Sequence, residues 1–270
     1  MGIEVQRVQK PLRNLRKALR KLSNDPTPDE VHRLRTLTRR VEAISSAWEP
    51  GEAKLLRRLL DSIRPVRKAA GRVRDMDVLA ANAPSLVHGS GSGSLARLAE
   101  NLRSARRAYA NALLRATNRQ RKAACESLDE FSRRARAAFG RGKADACKAE
   151  GALRSAAVRL AIELGRWPAL NESNLHDFRI AAKRLRAILQ LFADSDAGLV
   201  EALGETNARI GDWHDWQHLK EIAEGIPGEP LDRALMTQIG RMVRSRLRLA
   251  MAACNALRKR YLHGAPRRAA

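Results

Sequence analysis

Aromatic residues make up only 4% of this 270-residue chain, and cysteines number three. The scarcity of aromatics leaves few rings on which nucleic-acid bases could stack. Cys125, Cys147 and Cys254 are odd in number and lack the paired spacing of a metal site, which indicates a reducing compartment. No apolar run approaches the roughly 18 residues of a membrane-spanning helix, and the N-terminus lacks the apolar core of a signal peptide. We therefore expect a cytoplasmic protein without a membrane span.

Strand patterns and acidic residues are also scarce. The chain lacks alternating Val, Ile, Thr and Tyr runs, whereas Ala, Leu and Arg dominate and favour helix. Only 29 acidic residues face 52 basic ones, and the net charge of +23 predicts an anionic partner. Most of the basic residues, 41 of 52, are Arg, whose planar guanidinium binds two phosphate oxygens at once. A biased genome would also enrich Arg, but it would not explain the net charge.

The apolar periodicity predicts an all-α fold with eight helices in two similar halves. The predicted helices cover approximately 2–22, 28–48, 52–81, 95–139, 153–164, 171–192, 199–222 and a last stretch from Gly228 to 262. We expect a single domain over 1–270, with a first four-helix repeat over 5–139 and a second over 148–262. The Gly/Ser-rich stretch 83–94 predicts a flexible loop, and the basic end 263–270 predicts a frayed tail.

A nine-residue pattern, His-x-x-Arg-x-x-x-(Arg/Lys)-Arg, occurs twice in the chain, 144 positions apart. Positions i, i+3 and i+7 share one face of a helix. Each copy therefore predicts a cationic stripe: His32, Arg35 and Arg39 in the first, and His176, Arg179 and Lys183 in the second. The first stripe lies nearly opposite the apolar seam of its helix, so it should point away from the core.

A second pattern, which begins with Gly71 and again with Gly211, recurs 140 positions later. Its copies run over residues 71–79 and 211–219. The apolar seams also correspond: Leu34, Leu37, Val41, Ile44 and Trp48 match Phe178, Ala181, Leu185, Ile188 and Phe192. The duplication predicts that the two halves fold alike.

The two copies are nevertheless unequal. Arg74 in the first half corresponds to His214 in the second, and Glu42 corresponds to Arg186. Asp77 has no acidic counterpart. We therefore expect a binding surface whose two walls differ.

On these motifs the chain resembles the CHAD family, the conserved histidine α-helical domain. The family's marks are the repeated His-x-x-Arg-x-x-x-Arg-Arg helix and a later Gly-x-x-Arg-Asp-x-Asp-Val-Leu segment. The first half shows both marks, whereas the second half has Lys183 for the middle Arg and His214-Asp215-Trp216-Gln217 for Arg-Asp-x-Asp. The resemblance covers residues 5–262. It implies two four-helix bundles related by pseudo-two-fold symmetry, in which the His-motif helices line a basic cleft. It also implies binding of inorganic polyphosphate, often at intracellular granules. Nothing resembles the triphosphate-hydrolysing domain to which some members are fused, so we expect a stand-alone member.

The stripes and their basic neighbours are the candidate polyphosphate-binding residues. They are His32, Arg35, Arg39, Arg40, His176, Arg179, Lys183, Arg184 and Arg186. Basic residues on other helices form a second set of phosphate-binding candidates: Arg64, Lys68, Arg103, Arg106, Arg241 and Arg244. For this second set a solvated basic face is an equally good interpretation. Asp75 and Asp215 recur in both halves, and we expect them to orient arginines or to cap a turn.

Catalytic motifs are missing from the sequence. It shows no glycine-rich phosphate loop, nucleophile elbow or carboxylate pair for acid–base chemistry. His214 and His218 have the i, i+4 spacing of metal ligands but lack a clear third ligand, so packing or support of neighbouring site residues is the favoured role and no metal or cofactor is expected. Noncatalytic polyphosphate binding is the leading hypothesis. The alternatives are a protein that binds or compacts nucleic acid and, less favoured, an enzyme that processes polyphosphate or a triphosphate. Inositol phosphates are further polyanions that could compete.

Overall fold

Eight α-helices dominate the computed structural model, which describes residues 5–47, 53–86, 92–140 and 142–262. The helices are α1 (Val5–Lys21), α2 (Pro28–Ala47), α3 (Ala53–Asn82), α4 (Ser92–Gly140), α5 (Gly142–Gly165), α6 (Leu175–Leu189), α7 (Ala197–Glu224) and α8 (Arg233–Leu257). A 3₁₀ turn (Ala83–Leu86) follows α3, and a π-helical turn (Arg258–Leu262) extends α8. Since the described residues contain no strand, the all-α prediction is confirmed. No helix in these ranges is both long and apolar enough to cross a membrane.

The first His-motif helix, α2, starts with a capping box. The Thr27 amide donates to Glu30 Oε2 at 2.8 Å, and the Glu30 amide donates to Thr27 Oγ1 at 3.3 Å. The Thr27 amide, followed by the Ser23 hydroxyl at 2.7 Å, lowers the pKa of Glu30 because both donate to its ionised form. This cap fixes the position of His32 in the first turns of α2.

The second His-motif helix, α6, follows a turn that is organised by two asparagines. Asn171 Oδ1 accepts from the Ser173 amide, and Asn174 Oδ1 accepts from the Asn171 amide, each at 2.9 Å. These bonds satisfy backbone donors before the helix begins at Leu175. His176 therefore also lies in the first turn of its helix.

Helix α5 begins well before the sequence predicted. The predicted start near Leu153 is wrong, since the helix begins at Gly142 and continues through Gly151. Residues 142–151 are rich in Ala and Lys, and their helix propensity outweighs the cost of the glycines. Helix α6, in contrast, ends at Leu189, before the predicted Phe192.

The predicted loop 83–94 is helical at both of its described ends. A 3₁₀ turn covers Ala83–Leu86, and α4 begins at Ser92. Residues 87–91 lie outside the described residues, as do Trp48 and the predicted tail 263–270.

The chain divides into two compact units. Unit 1 comprises Met1–Arg74, Ala108–Leu160 and Arg184–Asp196, and unit 2 comprises Asp75–Arg107, Ala161–Lys183 and Ala197–Ala270. In unit 1, α1 packs on α2, and the buried core includes Leu12, Leu15, Leu34, Leu59 and Phe131. In unit 2, α7 packs on α8, and the core includes Phe178, Trp213, Trp216, Leu235 and Ile239. Each unit combines helices of both sequence halves, so the division into two four-helix repeats stays a prediction.

One glycine in unit 2 is required by a close backbone approach. A Cβ atom at Gly165 would lie 2.6 Å from the carbonyl oxygen of Leu262, which is closer than real Cβ atoms approach. Arg258 Nη2 donates to the carbonyl oxygens of Gly165 (3.2 Å) and Trp167 (2.7 Å). These contacts hold the end of α8 against the segment that leads into α6.

Candidate functional site

Helix α2, in unit 1, separates an apolar seam from a basic stripe. Three residues of the seam are fully buried: Leu34, Val41 and Ile44 expose at most 1% of their surface. The stripe keeps contact with solvent, since His32 is exposed and both Arg35 and Arg39 are half-buried. The stripe therefore points away from the apolar core on which α2 packs, as the helical phase predicted.

The Gly71 motif of α3 lies beside this stripe. A Cβ atom at Gly71 would lie 3.7 Å from Arg35 Nε, an ordinary van der Waals contact. The stripe and the Gly71 motif also interact electrostatically. Reduced hydration of the His32 ring lowers its pKa, and repulsion from Arg74 and Arg35 lowers it further, whereas Asp29 raises it. Arg35 and Arg74 thus form one cationic group in unit 1, and the His32 ring lies in their field.

Arg40, which ends the first His motif, is half-buried close to Arg186 at the C-terminal end of α6. Burial lowers the pKa of Arg40, and the positive charge of Arg186 lowers it further. Arg40 Nε is inaccessible to solvent and has no hydrogen-bond partner within the described residues. Both arginines belong to unit 1. The fold therefore places a cation from each His-motif helix in one neighbourhood.

Glu42, two residues after Arg40 in α2, forms an ion pair with Arg67 of α3. Arg67 Nε donates to Glu42 Oε1 at 2.9 Å, and the two side chains are only 26% and 19% exposed. Glu42 occupies the sequence position that corresponds to Arg186 in the second half. The predicted difference between the halves thus affects the local charge, because the carboxylate of Glu42 is compensated by Arg67.

In unit 2 the first stripe residues of α6 lie against α7. Arg179 Nε donates to the carbonyl oxygen of Asn207 at 3.3 Å. A Cβ atom at Gly211 would lie 3.1 Å from Arg179 Cζ and still closer to Nη2. The guanidinium therefore fills the space that a side chain at Gly211 would occupy. The Asn207 amide is buried, and neither of its polar atoms has a hydrogen-bond partner in the part of the chain that the structure describes.

Three histidine rings of unit 2 lie close together, and one of them, His214, is in the field of Arg179. The ring centroids of His176 and His214 are 5.5 Å apart, and those of His214 and His218 are 6.5 Å apart. Burial lowers the pKa of His214 to about 4, with further lowering by Arg179, His176 and His218 and an opposing effect of Asp75. His214 is therefore neutral near pH 7. Across the described ranges no group of His, Cys, Asp and Glu side chains is arranged to hold a metal ion.

The duplicated motifs pair in the same way in both units. Arg35 lies against Gly71 in unit 1, as Arg179 lies against Gly211 in unit 2. The His residue of each stripe interacts with the third residue after its glycine: His32 with Arg74, and His176 with His214. The sequence predicted each motif separately, but only the fold shows that the two motifs form one group. His214, assigned to packing from sequence, belongs to this group.

The other candidate phosphate-binding residues differ in exposure and in ion pairing. Lys183 and Arg186 are half-buried, whereas Arg184, Lys68, Arg241 and Arg244 are exposed. Arg64 lies 3.9 Å from Asp61, and Arg103 forms an ion pair with Glu100 at 2.9 Å. Both of these pairs are exposed, so they weaken the charge of the two arginines only slightly.

Arg106 is tied into the fold of unit 2. Its Nε donates to Asp77 Oδ1 at 2.7 Å, and the Asp77 side chain is only 4% exposed. The prediction that Arg106 is a phosphate-binding residue is therefore weakened, because a buried carboxylate already compensates its charge. Asp75, expected to orient arginines, lies close enough to His214 to raise its pKa.

Comparisons with known proteins place this fold. The family model of the CHAD domain matches residues 6–224. The crystal structure of the CHAD domain from the plant Ricinus communis superposes with a TM-score of 0.65 at 19% sequence identity, covering 95% of this chain and 94% of that chain. None of the curated protein sequences is significantly similar to the chain. Because the family model matches most of the length of the chain, the chain belongs to the CHAD domain family.

Proposed function

We propose that this protein binds inorganic polyphosphate without altering it chemically. The binding groups are the cations of the two His-motif helices: Arg35, Arg39 and Arg40 of α2 with Arg186 of α6 in unit 1, and His176, Arg179 and Lys183 in unit 2. Polyphosphate carries its negative charge along a flexible chain and offers no base edges. Recognition must therefore depend on charge density and on the match between guanidinium and phosphate oxygens.

The observation that carries this proposal is the proximity of Arg40 and Arg186. Partial burial and the positive charge of Arg186 both lower the pKa of Arg40, so both disfavour its charged form without a ligand. A bound polyanion removes both penalties, since its oxygens accept from the guanidinium groups and cancel the repulsion. A half-buried Arg40 Nε without a partner among the described residues fits such a ligand-binding role.

The proposal of a noncatalytic role rests on the sequence, which contains none of the catalytic motifs sought above. Of the acidic residues beside the sites, Glu42 and Asp77 are engaged in ion pairs with Arg67 and Arg106. Release of orthophosphate from polyphosphate with added magnesium would support an enzyme instead. The expected result is no release above the rate without protein.

Substitution of Arg40 by Met tests the binding role. Met keeps most of the side-chain volume but removes the charge, so Arg40→Met should leave the free energy of unfolding unchanged or raise it by up to about 1 kcal/mol. The same substitution should weaken polyphosphate binding about tenfold, the loss of about 1.4 kcal/mol of a charge-assisted contact. Denaturant titration and fluorescence anisotropy with labelled long-chain polyphosphate measure the two effects.

Arg33→Met is the matched control. Arg33 is exposed on the same helix and is not one of the candidate binding residues, and its substitution changes the net charge by the same amount. A loss of affinity in this variant equal to that in Arg40→Met would show that only overall charge matters. That result would refute a specific site at Arg40.

The finer expectations of the resemblance belong to this proposal as well. We propose that the two sequence halves are pseudo-symmetric four-helix repeats and that the protein resides in the cytoplasm on polyphosphate granules. A single cleft lined by both His-motif helices stays a prediction from the resemblance. Duplex DNA and inositol phosphates are the competing polyanions, so each binding assay includes them as competitors.

A further inference from the structure

The histidine cluster of unit 2 differs in kind from the arginine-rich group of unit 1. His176 and His214 have ring centroids 5.5 Å apart, and His218 lies one helical turn beyond His214 with centroids at 6.5 Å. Arg179 and Asp75 are the charged groups whose fields reach His214 from α6 and α3. Three histidine rings thus lie in sequence, and the central one, His214, is in the field of the guanidinium that we assign to anion binding.

The corresponding position of unit 1 carries a permanent charge. Arg74 stands where the second half has His214, and an arginine stays protonated at all accessible pH values. At this position unit 1 therefore offers a fixed cation to an anion, whereas unit 2 offers a ring whose charge depends on pH. The difference lies in one aligned position and in the added His218, which corresponds to Val78.

We propose that His214, at the centre of the histidine cluster, takes up a proton when polyphosphate binds beside Arg179, so that the unit 2 site binds more tightly as the pH falls. This inference rests on the proposed function. It assigns His214 to the anion site as a titrating residue, a role distinct from the packing or supporting role that its sequence position suggested.

The physical reason is the sign of the local field. Without a ligand, burial and the charge of Arg179 disfavour a proton on His214. A polyphosphate segment beside Arg179 brings negative charge into the same space and reverses that effect. A protonated imidazole then donates from both nitrogens, so each proton adds a donor for phosphate oxygens. Because linkage is reciprocal, a ligand that promotes protonation must bind more tightly when protons are abundant.

The partial exposure of these rings makes the exchange feasible. His176 is exposed and both His214 and His218 are half-buried, so neither protons nor phosphate oxygens are excluded from the cluster. Asp75 opposes the charge of Arg179 at His214 and so offsets part of the lowering of its pKa. A purely structural histidine would be fully enclosed and would have no route to an anion.

Isothermal titration calorimetry on the full chain tests the inference. Long-chain polyphosphate, whose titrating ends are few, is titrated into the protein near about pH 6, where imidazoles exchange protons. The titration is performed in MES and in bis-Tris, whose protonation enthalpies differ, at one ionic strength. The difference in binding heat between the buffers gives the number of protons taken up.

We expect net uptake by the wild-type protein and a smaller uptake by His214→Arg and His214→Gln. Each proton taken up raises the affinity about tenfold for a decrease of one pH unit, so both variants should show a shallower pH dependence. Arg74→His supplies the converse test, because a titrating ring at the matched position of unit 1 should increase the uptake. Circular dichroism on each variant establishes that it is folded.

The outcomes separate the two proposals. Binding with equal heats in both buffers, or an uptake that neither His214 variant reduces, would overturn the proton-coupled site and leave polyphosphate binding intact. The absence of binding heat in both buffers would instead refute the proposed function itself.

Discussion

Substitution of Gly211 by Ala tests whether the position of the Arg179 guanidinium affects polyphosphate binding independently of the stability of α7. The added Cβ atom would lie 3.1 Å from Arg179 Cζ and closer to Nη2, so the guanidinium must move. Gly71→Ala is the matched control in the other unit, because its Cβ atom would lie 3.7 Å from Arg35 Nε, where no movement is required. Both substitutions exchange a helical glycine of the same motif for alanine.

The expected magnitudes follow from these contacts. Alanine stabilises a helix interior by about 0.5–1 kcal/mol relative to glycine, so Gly71→Ala should raise the free energy of unfolding by that amount. In Gly211→Ala the same gain is offset by loss of the hydrogen bond from Arg179 to Asn207, about 0.5–1.5 kcal/mol, which leaves a net change near zero. The displaced guanidinium should weaken polyphosphate binding about five- to tenfold, whereas Gly71→Ala should leave the affinity nearly unchanged.

Urea denaturation and anisotropy titration at constant salt measure both quantities on the same samples. Constant salt is essential because binding by phosphate contacts weakens steeply with ionic strength. If Gly71→Ala and Gly211→Ala change the affinity equally, the contact between Arg179 and the Gly211 position has no part in binding and the reasoning fails.

Two further predictions concern stability. Asp77→Asn keeps the shape of the buried side chain but leaves Arg106 uncompensated, and we expect a loss of about 2–4 kcal/mol in denaturant titration. Asp61→Asn, which breaks the exposed pair with Arg64, should cost less than about 1 kcal/mol, and equal losses would contradict the burial argument. The second prediction follows from the pKa of His214, which is lowered in the folded state from 6.5 to about 4. Since the unfolded chain binds the proton first, stability should fall as the pH drops from about 6.5 towards about 4, by about 1–2 kcal/mol after allowance for partial exposure. His214→Gln should lack this part of the pH dependence in thermal unfolding, and an unchanged profile would refute the assignment.

Local signals were sufficient to predict most of the fold. The capping box of Thr27 and Glu30 fixed the start of α2 because its donors and acceptors lie within one turn. The seams of α2 and α6 followed from their periodicity, and their described residues are buried or half-buried. The start of α5 was predicted wrongly because Gly151 was treated as a helix-breaking residue. Neighbouring Ala and Lys residues have enough helix propensity to continue the helix through it.

The candidate site was only partly predictable. The duplicated motifs identified Arg35, Arg179 and both glycines, but contacts between α2 and α3 or between α6 and α7 depend on tertiary packing that no local pattern encodes. For the same reason His214 was assigned to packing, and the partner of Asp77, 29 residues away, was not foreseen. With so many arginines in the chain, sequence alone cannot tell which one a buried acid will bind.

The most direct measurement of the central claim compares the affinities for long-chain polyphosphate and duplex DNA at matched ionic strength. The variants are Arg35→Ala/Arg179→Ala and, with the same change in charge, Arg115→Ala/Arg119→Ala on the exposed face of α4. We predict that the wild-type protein prefers polyphosphate, that the first variant loses more than about tenfold in affinity, and that the control loses much less. Equal affinity for both polymers, with both variants weakened to the same extent, would contradict a specific polyphosphate site on the His-motif helices.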